Sequence, residues 1–135
     1  PLVNKLIKAI VDSNKTRKEF IVSDIENKIT KESIIGIYRL IMKKGSDNFR
    51  SSSILDILYI LKKKGYKINI YEPEINKNIF LDCEINNNLK KFKKESSLII
   101  CNRLTKDLES VLCKVYTRDI FNIDTWFHFF DFFTL

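Results

Sequence analysis

The sequence predicts an α/β domain: an open parallel sheet with helices on both faces, preceded by a long interface helix. Two patterns lead there. Short Ile-rich apolar runs at 33–40, 66–71 and 97–101 have the length of buried parallel strands and are separated by helical stretches. Ahead of them, Leu2, Val3, Leu6, Ile7, Ile10 and Val11 recur at helical spacing, and Phe20, Ile21 and Ile25 resume the same stripe.

Size and composition are consistent with that class. A chain of 135 residues suits one domain with a single core. Its hydrophobic share of 44% and charged share of 30% are ordinary for a globular protein, so disorder is not expected over most of the length. The net charge of +7 comes from scattered lysines. Aromatic residues do not interleave with the basic ones as a stacking platform requires, which argues against a nucleic-acid partner. Cys83, Cys101 and Cys113 are odd in number and lack C-x-x-C spacing, so neither a disulfide framework nor a metal site is expected. Buried free thiols are the plain reading, with Cys113 ending a short helix. No signal peptide and no apolar run long enough for a bilayer is evident, so a cytoplasmic protein without membrane contact is expected.

Taken in order, the first element is the long helix. Asn14, Arg17 and Lys18 interrupt its apolar stripe, which fits a subunit interface or a surface helix with a solvated middle. Ser33 to Leu40 reads as a buried strand, and Ser51 to Lys64 as a helix through Ile54, Leu55, Ile57, Leu58 and Leu61, with Gly65 as its C-cap. Tyr66 to Tyr71 is the second strand, ending at Glu72-Pro73, and Ile79 to Leu81 adds a short one. A helix near 85–94 turns Leu89 and Phe92 inward. Ser97 to Cys101 is the next buried strand, Lys106 to Leu112 a short helix, and Lys114 to Tyr116 begins the last strand. Such βαβ repetition implies right-handed crossovers. The chain opens on Pro1 inside a helical pattern and closes on an aromatic run, 125–135, unlike the remainder. Both ends suggest a piece of something larger or an imperfect reading frame.

The most informative stretch is 38–53. It joins a buried strand to a helix N-terminus at the carboxyl edge of the sheet, where helix amides and the helix dipole favour anions. Lys43 and Arg50 flank this polar turn. Lys43 and Lys44 also fit two solvated lysines. Arg50 stands at the end of a helix that disfavours a cation, which an anionic ligand or Asp47 would offset. Ser51, Ser52 and Ser53 fit either helix capping or phosphate bonding. Asn102-Arg103 follows the 98–101 strand and belongs to the same edge, with Arg118 further along it. Several cations on one rim suit a diphosphate. No G-x-G-x-x-G, P-loop or G-x-S-x-G is present, and no nucleophile, base and orienter assemble. No catalytic residue is therefore expected in this chain.

Three segments carry a family resemblance. Ile35-Gly36-Ile37-Tyr38-Arg39-Leu40-Ile41-Met42-Lys43 with Ser46-Asp47-Asn48-Phe49-Arg50 closely resembles the C-terminal UDP-binding domain of bacterial UDP-glucose 6-dehydrogenases. Asn102-Arg103 with Lys114-Val115-Tyr116-Thr117-Arg118-Asp119-Ile120-Phe121, and the leading Ala9-Ile10-Val11-Asp12-Ser13-Asn14-Lys15-Thr16-Arg17-Lys18, are similar to the same family. The resemblance implies a Rossmann-like fold and a division into 1–28, the end of a central dimerisation helix, 29–124, the UDP-binding domain, and 125–135, an atypical tail. It also implies an NAD-dependent oxidation of UDP-glucose to UDP-glucuronate by the full enzyme, with UDP-glucose or UDP as ligand and a homodimer through the N-terminal helix. Lys43 and Arg103 would contact the substrate and Arg50 would reach the NAD side of the cleft. The family's Gly-rich NAD loop and catalytic cysteine setting are not in this chain, so a piece inactive alone is expected. The alternative is a non-catalytic nucleotide-binding or subunit-interaction module.

Overall fold

A computed structural model describes residues 2–40, 53–75 and 79–117. The elements are α1 (Leu2–Glu26), β1 (Ile34–Tyr38), α2 (Ser53–Lys63), β2 (Lys67–Tyr71), β3 (Ile79–Phe80), β4 (Cys83–Ile85), α3 (Leu89–Glu95), β5 (Leu98–Cys101), a 3₁₀ segment (Lys106–Lys114) and β6 (Val115–Tyr116). They build one sheet in the order β3-β4-β2-β1-β5-β6, parallel except for β3, which pairs antiparallel with β4. The expected α/β class, with helices on both faces and a long leading helix, is what forms.

Alternation along β1 explains the layering. Ile35 and Ile37 join the core under α1 and α2, with Ile54, Leu58, Leu61 and Ile70. Gly36 and Tyr38 turn to the other face, where Phe92 of α3 and Leu108 of the 3₁₀ segment pack. Only the second half of α1 joins the core, through Ile21, Val22 and Ile25. Polar ties fasten the same half: Lys18 pairs with Asp56, Tyr116 donates to Asp24 at 2.8 Å, and Glu26 accepts from Lys64 at 2.8 Å. Lys64, through that hydrogen bond, holds the Glu26 carboxyl below its ordinary range.

Helix ends follow local chemistry. Gly65 at φ 88° closes α2, its N–H reaching Lys62 and that of Tyr66 reaching Leu61, which is the paired C-terminal motif that favours glycine. Asn88 caps α3 by accepting from the Lys91 N–H at 3.1 Å.

Three local expectations are corrected. The helix expected from Ile85 begins at Leu89, because Ile85 is the last residue of β4 and the Asn86 N–H continues the ladder to Ile70. Three successive asparagines then favour a turn and cap over helix interior. The 106–112 stretch is 3₁₀ with a kink at Val111, and it runs to Lys114. Cys113 is consequently exposed, whereas Cys83 and Cys101 are buried as expected. Burial pushes the Cys83 thiol up from its ordinary value.

Gly36 lies where β1 meets α3. A Cβ there would stand 2.5 Å from Ser96 Oγ and 2.9 Å from Phe92 Cζ. Gly36→Ala is expected to destabilise the fold by about 1–3 kcal/mol through overpacking, read as a lower urea midpoint at unchanged slope.

Candidate functional site

The chain runs from β1 outward through β2 to β4, and then returns to the opposite side of β1 as β5. The strand order therefore reverses between β1 and β5, and open α/β sheets leave a crevice at the carboxyl ends of such a pair. At that place stand Tyr38, the last residue of β1, with Arg39 and Leu40 just beyond it, and Asn102 and Arg103 just beyond β5.

Tyr38 anchors the edge. Its ring stacks on Tyr71 with centroids 5.5 Å apart and planes 14° apart, and Phe92 tilts against both. Its hydroxyl donates to Asp107 Oδ2 at 2.8 Å and accepts from Thr105 Oγ1 at 3.1 Å, tying β1 to the segment that follows β5. Burial raises the Tyr38 phenol above its ordinary value, with the Thr105 hydrogen bond acting in the opposite direction. The neutral hydroxyl is thus the form that keeps this link.

The next two residues leave the strand in a fixed way. Arg39 has φ 60°, a left-handed conformation uncommon for a residue with a side chain. Its N–H donates to the Tyr71 carbonyl at 2.9 Å. The Leu40 N–H donates to Glu72 Oε2 at 2.8 Å, and Glu72 Oε1 accepts from the Glu74 N–H at 3.2 Å. Glu72 is only 1% exposed and Leu40 is fully buried. The end of β2 therefore dictates how β1 exits the sheet. The Arg39 guanidinium lies over the Tyr38 ring, 5.7 Å from its centroid.

Of the edge residues singled out in the sequence, Asn102 and Arg103 are described: Asn102 is half-buried and Arg103 is exposed, one and two positions beyond β5 at the switch edge. Lys43, Lys44, Asp47, Arg50, Ser51, Ser52 and Arg118 lie outside the described residues, as does the side chain of Ser53. Sequence reasoning gave no role to Tyr38, Arg39, Glu72, Thr105 or Asp107. An acid directly after a strand and before Pro73 was the one available signal for Glu72. Among the described residues, no three His, Cys, Asp or Glu side chains are placed to hold a metal ion. Nor is any described helix long and apolar enough to cross a membrane. A polar hollow of about 250 Å³ also lies beside α3, lined by Lys67, Asn69, Glu84, Asn86 and Lys91 among others. It lies by β2 and β4, away from the switch edge, and Lys91 is paired with Glu95 at 3.8 Å.

Comparison with known proteins gives this edge a context. Residues 36–127 match the model of the UDP-glucose/GDP-mannose dehydrogenase family, UDP binding domain. The chain is 45% identical over 116 residues to the UDP-glucose 6-dehydrogenase of Streptococcus pneumoniae, covering 86% of this chain and 29% of that protein. It is 44% identical over 123 residues to the UDP-glucose 6-dehydrogenase of Campylobacter jejuni, covering 90% of this chain and 31% of that protein. The chain thus spans about a third of the length of the curated relatives it matches.

The Glu72 link sets a stability test. Glu72→Ala leaves the buried Leu40 amide without its acceptor, and a loss of about 1–3 kcal/mol is expected in urea unfolding. Glu72→Gln keeps an accepting oxygen and is expected to lose less.

Proposed function

The chain belongs to the UDP-glucose/GDP-mannose dehydrogenase family, and from that membership we propose that it serves as the UDP-sugar-binding portion of an NAD-dependent UDP-glucose 6-dehydrogenase. The full enzyme would oxidise UDP-glucose to UDP-glucuronate, a supply reaction for polysaccharide biosynthesis in the cytoplasm. The observation that carries this reading is identity of 44–45% to two UDP-glucose 6-dehydrogenases over nearly the whole chain. A switch-point edge of the kind that takes nucleotides supports it.

In this reading Lys43 and Arg103 hold the UDP-sugar through charge-assisted hydrogen bonds, and Arg50 reaches toward NAD. The described residues do not themselves fit a dinucleotide cradle. The turn after β1 opens on Arg39 and Leu40, where a dinucleotide loop needs glycines for close backbone approach. NAD is accordingly assigned to the rest of the enzyme, and residues 29–124 to UDP. Residues 125–135 remain an atypical tail in this division.

Residues 1–28 are assigned to a central dimerisation helix. Exposure of the first half of α1 supports that assignment: Leu2, Val3, Leu6, Ile7, Ile10 and Val11 are each more than half exposed and lie at helical spacing. The stripe also favours a second reading, a subunit-interaction module whose helix pairs without regard to nucleotide.

Two measurements test the proposal. Calorimetry with UDP and UDP-glucose is expected to show binding that Lys43→Ala weakens about tenfold or more, the range of a charge-assisted bond. No NAD reduction should accompany it, and absence of heat at millimolar ligand would overturn the binding reading. Sedimentation is expected to show a dimer that Leu6→Glu dissociates. A dimer in a chain that ignores UDP would favour the interaction module instead.

A further inference from the structure

Arg39 is an expensive residue to place as it is placed. Its φ of 60° costs about 1–2 kcal/mol relative to ordinary backbone. That conformation is imposed by two consecutive amides bonded to the Tyr71 carbonyl and to Glu72. The side chain is half-buried over the Tyr38 ring, and its Nε is buried with no hydrogen-bond partner. No hydrogen bond or ion pair joins its guanidinium to another described residue. A guanidinium partly withdrawn from water without an anion beside it is unfavourable. Among the described residues, the guanidinium therefore has no counter-anion at the edge where β1 and β5 diverge.

We propose that Arg39 is a further ligand-contacting residue of this domain, its guanidinium taking a phosphate oxygen of the bound nucleoside diphosphate, with Glu72 as the residue that positions it. The chemistry fits the group: a planar guanidinium offers paired N–H donors that match phosphate oxygens, and it stays charged at any physiological pH. The stack over Tyr38 limits its rotation, so less entropy is lost when the anion binds. The Thr105–Tyr38–Asp107 bonds in turn hold Tyr38 beneath it. This inference rests on the UDP-binding reading above and adds a contact to it.

The test compares uridine, UMP and UDP on the full chain by calorimetry, in wild type, Arg39→Lys and Arg39→Gly. Glycine accepts the left-handed backbone without strain, so Arg39→Gly removes the charge while the exit from β1 is kept. The expected result is uridine affinity equal to wild type in both variants. UDP affinity should fall about tenfold to a hundredfold in Arg39→Gly and less in Arg39→Lys. Unchanged UDP affinity in Arg39→Gly overturns the inference, because the guanidinium then makes no contact with the diphosphate. Equal losses for uridine and UDP overturn it as well, since the role is then purely structural. A wild type that binds no UDP instead removes the reading on which the inference stands, so the two failures are told apart.

Discussion

The two amides that follow strand β1 bond to the last residue of β2 and to the residue after it. The Arg39 N–H takes the Tyr71 carbonyl, and the Leu40 N–H takes the Glu72 side chain. The first of these bonds belongs to an ordinary parallel ladder. The second replaces a main-chain acceptor with a side-chain one, and so extends the pairing one residue past the point where the strands part. Without it, a buried amide at Leu40 would lack a partner, at a cost of about 1–3 kcal/mol. With it, the left-handed turn at Arg39 becomes affordable, since its cost is of similar size and opposite sign. The exit of the chain from β1 through Arg39 and Leu40 takes its direction from this pair of bonds.

The rest of the sheet keeps that edge firm. Gly36 lets α3 approach β1 closely, and Phe92 fills the space beside Tyr38 and Tyr71. Those three rings form a block beneath the carboxyl ends of β1 and β2. The Tyr38 hydroxyl then carries the constraint across to Thr105 and Asp107, beyond β5. Both sides of the crevice are thus tied to one aromatic residue.

The periodic parts of this architecture were legible. Ile35, Ile37, Ile70 and Leu98–Cys101 announce buried strands because parallel strands covered on both faces read as apolar runs. Gly65 announced the end of α2 because few residues other than glycine take φ 88° without strain. What escaped was set by contacts between distant positions. Ile85 looked like a helix residue, yet pairing of β4 with β2 claimed it. Glu72 looked like a strand-end acid, and only the packing of β1 beside β2 gives it the Leu40 amide. Arg39 carries no local sign of a left-handed backbone, since glycine or asparagine would be the usual occupant. The candidate site was therefore readable as a place on the sheet, and less so as a set of side chains.

The long helix extends the same logic beyond the sheet. Its second half is sewn to the domain by Ile21, Val22 and Ile25, and by the Lys18–Asp56, Asp24–Tyr116 and Glu26–Lys64 links. Tyr116 belongs to β6, next to β5, and Lys64 follows α2, so these links grip the helix at two separated points of the fold. The first half shares one continuous helix with that anchored portion, yet it buries none of its apolar stripe within the described residues. An isolated helix of such length is marginal in water, and no core among the described residues holds this half. Its stripe is the width expected of a helix that packs on another surface. The anchored half of the helix, by contrast, is joined to β6 and to α2.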